Sequence, residues 1–111
     1  MNNWKKITTE EDVNTIINVS ELKPQIIFKD STTCGISAYA KERLEIGSDL
    51  ITANADFNYL DLLTYRSVSN YIAKELNVTH QSPQIIVLKD KKVIFRDSHH
   101  SIEPEKIHKI L

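Results

Sequence analysis

Apolar residues recur along this chain in two periods, and the period changes at each cluster of turn-forming residues. Val13, Ile16 and Ile17 share one helical face at i, i+3, i+4 spacing, which predicts a helix over 9–19. Thr8 or Thr9, with Glu11 or Asp12 three residues later, supplies its start signal. After Pro24 the run Gln25-Ile26-Ile27-Phe28-Lys29 is short, apolar and bounded by turn residues, so it predicts a buried strand. Ile36, Ala40 and Leu44 repeat every four residues, with Tyr39 and Ile46 beside them, and predict a helix over 34–46. Gly47 then sits where a left-handed C′ residue would end it. Residues 57–62 alternate less cleanly and predict a strand with loose boundaries. Val68, Ile72 and Leu76, with Tyr71 adjacent, predict a helix over 66–76. The clearest strand signal is Pro83 to Leu88, where four consecutive aliphatic residues suit a strand covered on both faces. The charged turn Lys89-Asp90-Lys91-Lys92 leads into Val93-Ile94-Phe95, read as its antiparallel hairpin partner. Residues 103–111 close the chain as a helix with Pro104 in its first turn, where no amide donor is required.

This order gives a β-α-β unit, a helix and a ββα unit. It predicts an α/β fold with a mixed central sheet and helices on both faces. A chain of 111 residues supports one core, so 1–111 is read as a single domain. Hydrophobic residues at 41% and charged residues at 26% are ordinary for a soluble globular protein. The net charge of −1 offers no bulk positive field for nucleic acid. No segment has the run of about 18 apolar residues that a membrane span needs. The opening Met1-Asn2-Asn3-Trp4-Lys5-Lys6-Ile7 runs into Thr8-Thr9-Glu10-Glu11-Asp12, which is wrong for a signal peptide. A cytosolic location, with a reduced thiol, is therefore expected.

One stretch carries chemistry. Ser31-Thr32-Thr33-Cys34-Gly35-Ile36-Ser37 follows a predicted buried strand and opens a predicted helix. A helix N-terminus presents unpaired amides and the positive end of the macrodipole. Both favour a thiolate over a thiol, which makes Cys34 the candidate nucleophile. Gly35 beside it keeps the approach to sulfur open. A lone cysteine is often a buried small hydrophobe, but this one lies in a polar strand-to-helix context, off the apolar stripe. A single cysteine also excludes an internal disulfide and a cysteine-based zinc cluster. Pro83 ahead of its strand is, by itself, an ordinary edge residue.

The combination says more. A strand, a cysteine at a helix start and an X-Pro opening a hairpin form the thioredoxin-fold arrangement. Cys34-Gly35-Ile36-Ser37 resembles the Cys-x-x-Cys redox motif with serine in the second position. With Thr33, the Ser82-Pro83 hairpin and the opening Trp4 segment, the whole chain resembles the YtxJ-type family of monothiol bacilliredoxins, which use bacillithiol. That resemblance implies a thioredoxin fold, with Cys34 as the reactive thiol and a cis Pro83 facing it. Thr33, Gly35, Ser37 and Pro83 would support the site. Ser37 cannot resolve a mixed disulfide, so exchange must use an external thiol. Its hydroxyl is either solvated or hydrogen-bonded to the Cys34 sulfur.

The segment Ser98-His99-His100-Ser101 reads first as a solvated loop, and no ligand cluster supports a metal there. In glutaredoxin-like proteins the loop after the last strand helps bind the carboxylates of a small thiol. Bacillithiol carries a malate, so Ser82, Ser98 and His99 are its candidate contacts. His80, Lys29 and Arg66 are lesser candidates for that site and read more simply as ordinary surface charge. Trp4, Tyr39, Phe57 and Tyr71 read as core or near-core aromatics.

The expected function is thiol–disulfide exchange that removes bacillithiol from cytosolic protein mixed disulfides. Bacillithiol serves as thiol co-substrate, no cofactor is tightly bound, and neither nucleic acid nor membrane is a partner. Two other readings stay open: a thiol peroxidase, for which no arginine neighbours Cys34 in sequence, and a binding module of the same fold without turnover.

Overall fold

Five strands form one mixed sheet: β1 (Lys5–Lys6), β2 (Gln25–Asp30), β3 (Asp56–Asp61), β4 (Gln84–Lys89) and β5 (Lys92–Ser98). Their spatial order is β1-β3-β2-β4-β5 in the computed structural model, which describes residues 4–111. The start of the opening segment, Met1 to Asn3, lies outside the described residues. β3 runs parallel to both β1 and β2, β4 runs antiparallel to β2, and β5 closes a hairpin on β4. Asp90 and Lys91 form that hairpin's two-residue loop, with φ of 52° and 65°. Positive φ at both positions matches the right-handed twist of the flanking strands.

Helices α1 (Glu10–Val19) and α4 (Arg66–Leu76) cover one face of the sheet. Helices α2 (Gly35–Ile46), α3 (Ser48–Thr52) and α5 (Pro104–Ile110) cover the other. The central strands serve both layers by simple alternation. Ile27, Ile86 and Leu88 pack with Val13, Ile16, Val68 and Ile72. Ile26, Phe28, Ile85 and Val87 pack with Ala40, Leu44, Ile51 and Ile107. Each such aliphatic or aromatic side chain contributes about 1.5–3 kcal/mol on full burial.

Helix α1 starts as its sequence predicts. Thr9 Oγ1 accepts the Asp12 amide at 3.0 Å, and Asp12 Oδ2 accepts the Thr8 and Thr9 amides at 2.9 and 3.2 Å. The Thr8 amide is the main cause that holds the Asp12 carboxyl below its ordinary value of 3.8. The carboxylate's contribution is therefore full above that value and is lost as pH falls through the lowered one. Thr9→Ala should cost about 1 kcal/mol, read as a lower urea midpoint at unchanged slope.

Several elements differ from the sequence pattern. Gly47 is not left-handed: its φ is −91° and ψ 14°, and α3 follows at once. A Cβ on Gly47 would lie 2.5 Å from both Cβ and Cγ of Pro104, so close approach to α5 explains the glycine. The left-handed C-cap falls at Asn77, with φ 52°. β1 is too short to show a period. β3 starts one residue earlier than expected, and its Asn58 is buried beside Leu60, because both of its faces are covered. β4 begins at Gln84, after Pro83, and runs through Lys89. β5 extends to Ser98, so the expected loop is a strand end followed by a 3₁₀ turn over His99–Ser101. In α2 the buried stripe is Ser37, Ala40 and Leu44, while Ile36 and Tyr39 are exposed. Tyr39 is thus no core aromatic, unlike Phe57. Among the described residues no helix is long and apolar enough to cross a membrane.

Candidate functional site

β2 runs between β3 and β4 and ends at Asp30. The chain then turns through Ser31, Thr32 and Thr33, with the Cys34 amide donating to Ser31 O at 3.0 Å. Cys34 is the N-cap of α2, with extended φ and ψ of −103° and 129°. It is a free, half-buried thiol whose side chain caps no amide of its own helix. The first-turn amides therefore lack side-chain acceptors, and no acidic residue in that turn offsets the helix dipole. A Cβ on Gly35 would meet no atom within 4 Å, so the space beside the thiol is open. Thr33 is exposed beside Cys34.

Ser37 takes neither of its expected roles. It is fully buried, and its hydroxyl donates to Asp30 Oδ1 at 2.5 Å while accepting the Ser31 amide at 2.8 Å. The Tyr59 hydroxyl donates to the other carboxyl oxygen of Asp30. Burial first, and then Asp30, raise the Tyr59 pKa above its ordinary value of 10. Asp30 itself is only 2% exposed. This Tyr59–Asp30–Ser37 chain fixes the turn that presents Cys34, and a reading of single motifs does not reveal it. The signal is present, however: strand alternation puts Asp30 on the same face as Ile26 and Phe28, beneath α2.

The second segment of the site enters from β4. The Ser82–Pro83 peptide is cis, Pro83 is buried and Ser82 is half-buried. Pro83 O accepts the His99 amide at 3.1 Å, and Gln84 pairs with Ser98 across the hairpin. Ser98 and His99 are thereby gathered at the Pro83 end of β4. Gln84 also pairs with Lys29 on β2, so this is the sheet end from which Cys34 emerges. A cleft of about 270 Å³ lies here, lined by Thr79, Gln81, Gln84, Arg96, Asp97 and Ser98. His99 and His100 are exposed, and the His100 ring lies 6.1 Å from that of Tyr39 on α2. Among the described residues no three His, Cys, Asp or Glu side chains converge as a metal site requires.

The reading of Lys29 as surface charge is overturned. Lys29 is fully buried, because alternation along a central strand gives it the same covered face as Ile27. His80 is half-buried against it and Arg66 is exposed.

A sheet of this order, with a cysteine at the strand-to-helix turn and a proline opening the facing hairpin, defines the thioredoxin fold. The chain is similar to a solved protein with a thioredoxin fold, at 28% identity and a TM-score of 0.83 over 97% of this chain and 93% of that one. It also superposes on the thioredoxin of Fasciola hepatica, at 19% identity and a TM-score of 0.72, covering 96% of this chain and 94% of the other. Oxidised thioredoxin from Plasmodium falciparum gives 18% identity and a TM-score of 0.70, over 96% and 93% of the two chains. More narrowly, residues 5–107 match the monothiol bacilliredoxin BrxC model, and the chain belongs to that family. A thiol redox function goes with that membership.

Proposed function

We propose that this protein is a YtxJ-type monothiol bacilliredoxin that removes bacillithiol from mixed disulfides on cytosolic proteins. The observation that supports it most is the half-exposed Cys34 at the start of α2, with a serine committed to Asp30 where a second cysteine would stand. The Cys34 thiolate attacks the bacillithiol sulfur of the client disulfide. The client sulfur leaves with the bonding electron pair, takes up a proton and is restored as a thiol. Bacillithiol remains on Cys34 as a new mixed disulfide. The thiolate of a second bacillithiol attacks the bound bacillithiol sulfur, which releases bacillithiol disulfide and regenerates Cys34. The net exchange consumes one small thiol, whose sulfur rises to the disulfide level as the client sulfur returns to the thiol level. Open space at Gly35 admits a bulky disulfide. Ser82, Ser98 and His99 line the side on which the small thiol's carboxylates would rest.

The test is intact mass after mixing with oxidised bacillithiol. One added bacillithiol is expected on the wild-type chain and none on Cys34→Ser. Release of that adduct by free bacillithiol is expected to be complete. An unmodified wild-type chain would overturn the reading in favour of a binding module, and rapid peroxide consumption without an adduct would favour a thiol peroxidase.

A further inference from the structure

Among the described residues, Lys29 is the one buried cation that the exchange chemistry above leaves unused. It lies on the central strand β2 and is 0% exposed. Its ammonium donates to Ser69 O on α4 at 3.1 Å and sits 3.3 Å from His80 Nδ1. An ammonium has donors only, so Nδ1 must accept and the imidazole must carry its proton on Nε2. Burial alone shifts Lys29, down to about 8, and no carboxylate offsets it. A buried, unneutralised charge opposes folding, so its value must lie elsewhere.

What Lys29 joins is informative. His80 belongs to the segment between α4 and β4, which also holds Gln81, Ser82 and Pro83. That segment has few backbone anchors. Gln84 Nε2 donates to Thr79 O at 3.0 Å, and His99 N reaches Pro83 O. Lys29 adds the tie at its centre, on the strand that delivers Cys34 five residues later. Gln84 is its cross-strand partner, and Gln84 Oε1 and Ser69 Oγ are buried beside this cluster without hydrogen-bond partners.

We propose that Lys29 is a positioning residue for disulfide exchange, its ammonium holding the Ser82–Pro83 segment against the end of β2 through a neutral His80. This rests on the exchange reading above and adds to it the element that fixes one wall of the site. The tie is charge-assisted only while Lys29 is protonated, and it is lost once His80 Nδ1 takes a proton. The charges facing His80 are Lys29 on β2 and Arg66 on α4, and with burial as the first cause they hold its pKa below 6.5. The tie is therefore at full strength between that lowered value and about 8. Below it two cations would face each other, and above it the lysine loses its charge. For stability the signs differ. Lys29 titrates lower when folded than when unfolded, so its burial penalty is relieved as pH rises from about 8 toward 10.5.

The experiment uses the full chain as wild type, Lys29→Met, His80→Asn and the double variant. Amide hydrogen exchange is read at His99, whose amide donates to Pro83 O, across pH 5–9, together with exchange of oxidised bacillithiol and alkylation of Cys34 by iodoacetamide. Lys29→Met should melt no lower than wild type, expose that amide at least fivefold more at pH 7, and slow disulfide exchange at least fivefold while alkylation stays within twofold. His80→Asn keeps an acceptor that does not titrate, so it should retain protection at pH 7 and lose the acid-side loosening. The double variant should behave as Lys29→Met does. Equal protection of the His99 amide in wild type and Lys29→Met overturns the proposal. So does an acid-side loosening that survives His80→Asn. Failure of wild type to exchange bacillithiol counts against the functional reading, while the amide arm, which needs no disulfide, still decides whether Lys29 holds the segment.

Discussion

Ser37→Ala should lower stability by about 3 kcal/mol, because the serine hydroxyl serves two buried partners at once. It donates to Asp30 Oδ1 and accepts the Ser31 amide. Removing it leaves the Asp30 carboxyl with Tyr59 as its remaining side-chain donor. A hydrogen bond to a charged group is worth about 1.5–3 kcal/mol, and an orphaned buried amide costs a further 1–3 or so. In a domain of this size the melting temperature should fall by about 10–20 °C. Urea unfolding should show a lower midpoint at unchanged slope. Combining the change with Asp30→Asn should cost less than the sum of the two, because both remove parts of one network. A loss below about 1 kcal/mol, the worth of one ordinary hydrogen bond, would mean that the turn before Cys34 is held by something else.

Gly47→Ala should cost about 2 kcal/mol for a different reason, overpacking at a helix junction. The new methyl would stand 2.5 Å from two ring carbons of Pro104. Neither side can yield easily: Gly47 links α2 to α3, and Pro104 opens α5 and is itself buried. The intrinsic gain of alanine over glycine, about 0.5–1 kcal/mol within a helix, is too small to offset that clash. Pro104→Gly removes both contacted carbons, so the double variant should recover much of the loss. A neutral single substitution, measured by thermal unfolding, would show that α5 simply shifts.

These two positions also mark where sequence pattern stops informing. Periodicity locates α1, α4, β2 and β4 to within a residue or so, because each presents a run of aliphatics whose spacing only one geometry satisfies. Cys34 and Pro83 are legible for a related reason, since each lies at a boundary between two such periods. Glycine is ambiguous. The same residue serves left-handed turns and close approaches, and only the position of Pro104, far away in sequence, decides for Gly47. β1 has two lysines and no pattern, and its existence depends on the edge that β3 offers. Asp30, Lys29 and Ser37 were hidden because a polar side chain is ordinarily solvated. Each is buried because it finds its partner on another element: Tyr59 on β3, Ser69 on α4, Asp30 on β2. Ile36 and Tyr39 fail in the opposite sense, as apolar residues that the helix turns outward.

The alternation along β2 and β4 has a further consequence. Each strand contributes to both packed layers, so neither layer can melt and leave the other whole. Loss of the α1–α4 layer would strip Ile27, Ile86 and Leu88, and loss of the opposite layer would strip Ile26, Phe28, Ile85 and Val87, from the same two backbones. Unfolding of the sheet is thus a single cooperative event, with β2 and β4 as its last members to open. Cys34 leaves from the end of one of these strands and Pro83 enters at the start of the other. The two walls of the site are therefore mounted on the least yielding part of the molecule, and motion there is confined to the short segments between them.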